Sequence, residues 1–235
     1  MGGVTSTYLK RRGELETYFD RTASDAWAKL TSDAPVSGIR ATVRAGRDAM
    51  RETLLGWLPA DLTGSSVYDA GCGTGALAME AAGRGADVTA IDLSETLVTL
   101  AGDRARAIPV AGTIDFRVGD MFDPTLGPFD HVVAMDSVIH YNAVDLSRII
   151  AGFAARARYS VIFTVAPRTP ALSVMHAVGQ LFPKGDRSPA IQPISERDLN
   201  RRLNADPALA DWRIGRSRRI KSGFYISHAV ELCRR

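Results

Sequence analysis

Three glycines at alternate positions follow a carboxylate in the run Asp69-Ala-Gly71-Cys72-Gly73-Thr-Gly75. Glycines so placed let the backbone turn sharply and let a ligand approach it with no Cβ in the way. Asp92, with Leu93 after it, stands seventeen residues beyond Gly75, where an acid accepts hydrogen bonds from ribose hydroxyls. A third acid lies in Val118-Gly-Asp120-Met121; Asp120 is expected to accept from an adenine amino group and Met121 to cover the ring. These residue types outline a nucleoside site. A dinucleotide would bring a pyrophosphate, which needs a helix N-terminus without carboxylates and the spacing G-x-G-x-x-G. Here the spacing is G-x-G-x-G and Asp69 would repel a phosphate, yet it suits an ammonium group. S-adenosylmethionine has no phosphate and is cationic near its reacting centre, so the pattern selects it, with S-adenosylhomocysteine as its product.

A further apolar run ends at Asp136, followed by Ser137 and His140. In open α/β sheets ligands bind beyond the carboxyl ends of the strands, so these three residues are expected to face the cofactor. His140 could orient an acceptor, remove its proton, or serve only the structure. His131, His176 and His228 fall on strands or an apolar helix and read as structural.

Elements must hold these residues together. Apolar spacing predicts helices over 14–30 and 38–58, the second stopped by Pro59. Strands follow at 66–70, 87–91, 114–118, 129–135 and 160–165, with helices at 76–82, 94–107 and 145–156 between them. Such alternation implies a parallel sheet covered on both faces. A helix at 195–203 and strands near 212–218 and 223–232 close the chain, the strands pairing as an edge hairpin. The fold class is therefore α/β and Rossmann-like, with seven strands, mostly parallel. Between 167 and 193 five prolines punctuate an apolar helix, 172–182, and a polar loop, 184–188. The chain divides into N-terminal helices (1–60), a cofactor-binding core (61–166), a lid insertion (167–194) and the rest of the sheet (195–235).

Composition excludes several classes. The net charge is +3 and aromatic residues make up 7%, with no RNA-binding signature, so nucleic acid is not an expected partner. Cys72 and Cys233 have no metal-ligand spacing and form no disulfide framework, which points to a reducing compartment and to no protein-held metal. No apolar stretch is long enough to span a bilayer. The expected location is cytoplasmic, peripheral to a membrane at most. Basic residues cluster at 10–12 and at Arg213, Arg216, Arg218, Arg219 and Lys221, either as solvated surface or as a face for an anion.

Several segments outside the cofactor pattern resemble the magnesium-protoporphyrin IX O-methyltransferases, class I S-adenosylmethionine-dependent enzymes. They are Tyr18-Phe19-Asp20 with Ser24-Asp25-Ala-Trp27, Met135-Asp-Ser-Val-Ile-His140-Tyr141, Phe163-Thr-Val-Ala-Pro167-Arg-Thr and Gly223-Phe-Tyr225. The stretch from Phe182 to Pro193 is similar to the purple-bacterial branch. The resemblance implies methyl transfer to one propionate of magnesium-protoporphyrin IX, giving the monomethyl ester in (bacterio)chlorophyll biosynthesis. Magnesium then enters only as part of the substrate. Oxygenic members place a tyrosine four residues after the tryptophan matching Trp27; here Thr31 stands there. That tyrosine's work is dispensable or falls to another residue, with Tyr18 the candidate.

A propionate has a pKa of about 4–5 and is already ionised at neutral pH, so His140 is read first as an orienting donor. It becomes a base if burial raises the acceptor's pKa, and an axial magnesium ligand is a third role, although Mg²⁺ prefers oxygen. The flat apolar disc with its two anionic arms needs apolar walls and cations. Met175 on the apolar helix and Arg168, Lys184 and Arg187 around it are the expected substrate contacts. Two other readings stay open: methylation of a quinone or other phenolic acceptor, with His140 an obligatory base, and a non-catalytic sensor module. Contact of the basic C-terminal run with a magnesium chelatase subunit or with the inner or photosynthetic membrane is likewise open.

Overall fold

The structure, a computed structural model, describes residues 5–21, 31, 38–168 and 190–235. Seven strands, β1 (Ser66–Ala70), β2 (Asp87–Asp92), β3 (Thr113–Val118), β4 (Phe129–Ala134), β5 (Ala157–Val165), β6 (Trp212–Ser222) and β7 (Tyr225–Arg234), form one sheet in the order β3-β2-β1-β4-β5-β7-β6. The first five run parallel, and β7 is antiparallel to both β5 and β6. The expected α/β class, mostly parallel sheet and terminal hairpin are all present.

Six helices are described: α1 (Ser6–Arg21), α2 (Gly38–Leu55), α3 (Ala76–Gly83), α4 (Glu95–Arg106), α5 (Ala143–Arg156) and α6 (Glu196–Ala205). Strand side chains alternate between two cores, as a period of two requires. Val132, Val161 and Phe163 pack with Phe153 of α5 and Leu199 of α6. Val133 and Ile162 pack on the opposite face with Met50 and Leu54 of α2 and Leu77 and Ala81 of α3. The inner strands are buried on both faces, which is why they read as unbroken apolar runs.

Boundaries shift where tertiary contacts decide them. The first helix begins at Ser6, not at residue 14, and residues 22–30 of the expected helix lie outside the described residues. Its early turns are held from afar. Thr5 and Thr7 donate to the two oxygens of Asp145 at 2.6 and 2.7 Å, and Tyr8 stacks on Tyr141 with ring centroids 5.0 Å apart. α2 ends at Leu55 and tightens through Trp57, whose N–H donates to the Leu54 carbonyl at 3.1 Å. Ser94 caps α4 by accepting from Leu97, and Asn142 caps α5 by accepting from Val144 and Asp145.

α2 lies close against the terminal hairpin. A Cβ on Gly46 would sit 2.5 Å from a ring carbon of Tyr225, so only glycine permits this approach. The hairpin's outer strand exposes Arg213, Arg216, Arg218, Arg219 and Lys221, and charges on an edge strand discourage pairing with another chain. Arg216 is also tied to the buried Glu231 and to the Trp57 carbonyl. The expected helix 172–182 lies outside the described residues. The roots of that insertion are described and lie side by side: Pro167 bridges Ile194, and the Gln192 N–H donates to the Ile139 carbonyl at 2.8 Å. Among the described residues no helix is long and apolar enough to cross a membrane.

Candidate functional site

β1 pairs with β2 on one side and β4 on the other, so strand order reverses there and a crevice opens beyond their carboxyl ends. A cavity of about 280 Å³ fills it, at the lower end of the range for small-molecule sites. Its walls come from the loop after β1, the ends of β2, β3 and β4, one face of α2, and α1 through Leu15 and Phe19.

The glycine turn is built as its spacing required. Gly71, Gly73 and Gly75 have φ of 85°, 54° and 78°, values that L side chains rarely adopt. A Cβ on Gly71 would meet the Ser137 Cβ at 2.2 Å, and one on Gly75 would meet Ala101 and Phe116 at 2.9 Å. A Cβ on Gly73 would meet nothing within 4 Å, and its N–H donates to an Asp92 oxygen at 2.8 Å. The other Asp92 oxygen accepts from the Ser94 N–H at 3.0 Å. Burial nevertheless raises the Asp92 pKa, although N–H groups of Ser94, Gly73 and Leu93 oppose the shift.

Asp69 is 1% exposed, and its Oδ2 is buried with no hydrogen-bond partner. Burial first, and then the nearby Asp92 charge, push its carboxyl up to about 7. A buried carboxylate oxygen without a donor is costly, and a cationic ligand bound in the cavity that Asp69 lines would reduce that cost. Burial and the same two carboxylates hold the neighbouring Cys72 as a thiol, so it is no competing nucleophile. Leu93, Gly119 and Met121 complete the wall at the ends of β2 and β3.

Asp120 departs from its expected role. Its carboxylate accepts from the Tyr8 hydroxyl at 2.6 Å, from Arg12 at 3.1 Å and from the Phe122 N–H at 2.8 Å, and it does not line the cavity. Burial raises the Tyr8 pKa far above its ordinary value, which keeps that phenol a donor. The expected adenine contact is therefore occupied by α1.

Asp136 lines the cavity, as Ser137 and His140 do, and its carboxylate is also held within the protein. It adopts φ of 55°, the one non-glycine residue with positive φ among those described. Four side chains converge on its carboxylate: Arg47 at 2.7 Å, Tyr225 at 3.0 Å, and Ser227 and Thr164 at 3.1 Å. Its own N–H donates to the Thr164 hydroxyl at 2.7 Å. With four side chains on its carboxylate, Asp136 anchors the corner between β4 and the short 3₁₀ turn Val138–His140. Ser137 joins that corner to the glycine turn by donating to the Ala70 carbonyl at 2.6 Å.

His140 is 7% exposed, lines the cavity, and stands edge-on to Phe19 with centroids 6.3 Å apart. Tyr18 does not reach the wall. It is half-buried at the edge of the face that carries Leu15 and Phe19, and its ring packs edge-on against Phe19. Thr31, at the position of the departure from the resembled family, does line the cavity, and it accepts from Arg104. Arg168 is exposed and outside the wall, its N–H bonded to the Ile194 carbonyl. Met175, Lys184 and Arg187 lie outside the described residues. Sequence reasoning missed Arg44, Arg47 and Arg51, which α2 presents to the cavity. Their signal was a 4-3-4 spacing from Arg40, a single stripe along a helix.

Comparison with known proteins fits this geometry. Residues 134–234 match the model of the magnesium-protoporphyrin IX methyltransferase C-terminus, and residues 67–158 that of a methyltransferase domain. The chain is 46% identical to a magnesium-protoporphyrin O-methyltransferase of Rhodobacter capsulatus over 97% of its length and 99% of the relative's. It superposes with a TM-score of 0.83 and 29% identity on the crystal structure of a magnesium protoporphyrin IX methyltransferase from Synechocystis with bound S-adenosylhomocysteine, covering 95% of this chain and 100% of that one. Similarity to a ubiquinone biosynthesis O-methyltransferase of Xanthomonas oryzae, at 34% identity, covers only 53% of this chain and 55% of that relative.

Proposed function

Because this chain belongs to the magnesium-protoporphyrin O-methyltransferase family, we propose that it methylates a propionate carboxylate of magnesium-protoporphyrin IX, giving the monomethyl ester in (bacterio)chlorophyll biosynthesis. S-adenosylmethionine supplies the electrophilic methyl group. The observation that carries the donor is the buried, partnerless Asp69 oxygen beside an open Gly73 and an anchored Asp92. In this reading Asp69 faces the donor's ammonium group and Asp92 its ribose, while Gly71, Cys72, Gly73, Gly75, Leu93 and Met121 shape the surface around them.

The acceptor needs little proton chemistry, since it arrives ionised. The protein's task is to align and desolvate an anion, and positioning of that kind is worth about 7–11 kcal/mol. His140 orients the reacting carboxylate. The corner that carries it is held by Asp136 and Ser137. Incubation with labelled S-adenosylmethionine tests the reading: label should enter magnesium-protoporphyrin as a methyl ester and enter metal-free protoporphyrin and a catechol far less. Preferential labelling of the catechol would overturn it in favour of a phenolic acceptor.

The N-terminal helices (1–60) cover the cofactor-binding core (61–166), the insertion 167–194 serves as a lid over the acceptor with Gln192 at its root bonded to Ile139, and residues 195–235 complete the sheet. Contact with a magnesium chelatase subunit or a membrane surface would use the basic outer edge of β6, and a cytoplasmic, peripheral location accords with that.

Asp69 also predicts a pH dependence. Its pKa is about 7 in the fold and about 4 in an unfolded chain. Its protonated form thus contributes stability below about pH 4 that is lost as pH rises through about 7. A cationic donor favours the ionised form. S-adenosylmethionine should therefore bind roughly tenfold more weakly at pH 6 than at pH 8, with proton release. Its stabilisation against heat should likewise be larger at pH 8. Calorimetry in buffers of different ionisation enthalpy measures both the affinity and the proton count; constant affinity with no proton release would exclude this role for Asp69.

A further inference from the structure

β3 and β6 are the two edges of the sheet, and their charges decide what each edge can meet. β6 carries cations and no acid, so a second copy laid against it brings like charges together. β3 carries one charge of each sign. Asp115 and Arg117 stand two residues apart on one face of the strand, with side chains 54% and 43% exposed. Ile114, Phe116 and Val118 take the other face; the first two are half-buried on the α3 side of the sheet, and Val118 is 52% exposed. The backbone of β3 is also half-used. The Thr113 N–H donates to the Ala86 carbonyl at 3.1 Å and the Gly119 N–H to the Asp92 carbonyl at 2.9 Å, so the odd-numbered residues pair inward with β2. The N–H and C=O groups of Ile114, Phe116 and Val118 therefore point outward, and no strand lies beyond them among the described residues. Such a row is a template for another strand.

We propose that the chain forms a two-fold dimer by antiparallel pairing of β3 with β3 of a second copy, in the register centred on Phe116. In that register Phe116 faces itself, Ile114 faces Val118, and each outward pair exchanges two hydrogen bonds. Asp115 faces Arg117 in both directions, at non-hydrogen-bonded positions where the Cα atoms are about 4.5 Å apart and side chains approach most closely. The 2.7 Å pair that these two residues make within the strand is kept, and the four side chains become a quartet of alternating sign. The neighbouring registers that preserve the backbone bonds are slipped by two residues. One sets Asp115 against Asp115 and the other Arg117 against Arg117, so charge selects the central register. The inference is independent of the reaction proposed above.

Sedimentation velocity and native mass spectrometry of the full chain test it between about 1 and 100 μM, the range expected of so small an interface. Wild type should pass from monomer to dimer over that span. Arg117→Asp gathers four acids at the axis and Asp115→Arg gathers four arginines, so each should weaken dimerisation about tenfold or more. The double variant Asp115→Arg/Arg117→Asp restores the pairing with signs exchanged and should dimerise within about threefold of wild type. An equimolar mixture of the two single variants should form heterodimers, since each supplies the charge that the other needs. Donor affinity should be equal in all four proteins, which shows that each is folded. A wild type that stays monomeric at about 100 μM, a dimer that survives both single substitutions, or a double variant as weak as the single ones would overturn the proposal.

Discussion

Gly71→Ala should abolish binding of S-adenosylmethionine and lower the unfolding free energy by about 2–5 kcal/mol. Two costs add. The residue sits at φ of 85°, and an L side chain in the left-handed region costs about 1–2 kcal/mol. The new methyl would also lie 2.2 Å from the Ser137 Cβ, and relief of such overpacking typically costs about 1–3 kcal/mol. The methyl can be accommodated only if Ser137 moves, which breaks its 2.6 Å bond to the Ala70 carbonyl and uncouples the His140 corner from the glycine turn. Urea unfolding and calorimetric titration of the donor measure the two losses. Gly83→Ala is the matched control, because a Cβ there meets nothing within 4 Å. A Gly71→Ala protein that melts and binds donor like wild type would refute the turn geometry.

His140→Ala should lower turnover about 100- to 10,000-fold while donor affinity changes by about threefold or less. The residue lines the cavity on a corner fixed by the four donors to Asp136, so its ring is held in place before the acceptor arrives. At saturating donor the turnover of wild type should be nearly flat from pH 6 to 8, since an ionised carboxylate needs no base. His140→Asn and His140→Gln keep a hydrogen-bond donor without a titrating ring, and one of them should recover about tenfold over alanine. Comparable losses in turnover and donor affinity would make the histidine structural. A steep pH limb that both amides abolish would make it a base.

The glycine turn, Asp69 and Asp92 were legible in the sequence because their constraint is local. Alternate glycines impose a backbone path, and a strand that ends in an acid positions that acid at the same edge of the sheet. Strand alternation was legible for a similar reason, since residues buried on both faces read as unbroken apolar runs. Local patterns could not show which side chains meet across the fold. Asp120 was read as an adenine contact, yet Tyr8, far away in sequence, takes its carboxylate once α1 packs on Tyr141. Asp136 was read from its strand end alone, and only the fold shows that α2, β5 and β7 converge on its carboxylate. Tyr18 was the candidate for catalytic work and Phe19 was given no role, yet it is Phe19 that stands in the wall, with Tyr18 packed edge-on behind it. The arginine stripe of α2 was passed over in the sequence; it lines the cavity because α2, seated on Tyr225 through Gly46, turns that face inward. Backbone chemistry is written residue by residue, whereas the partner of a charge is decided by packing between elements distant in the chain.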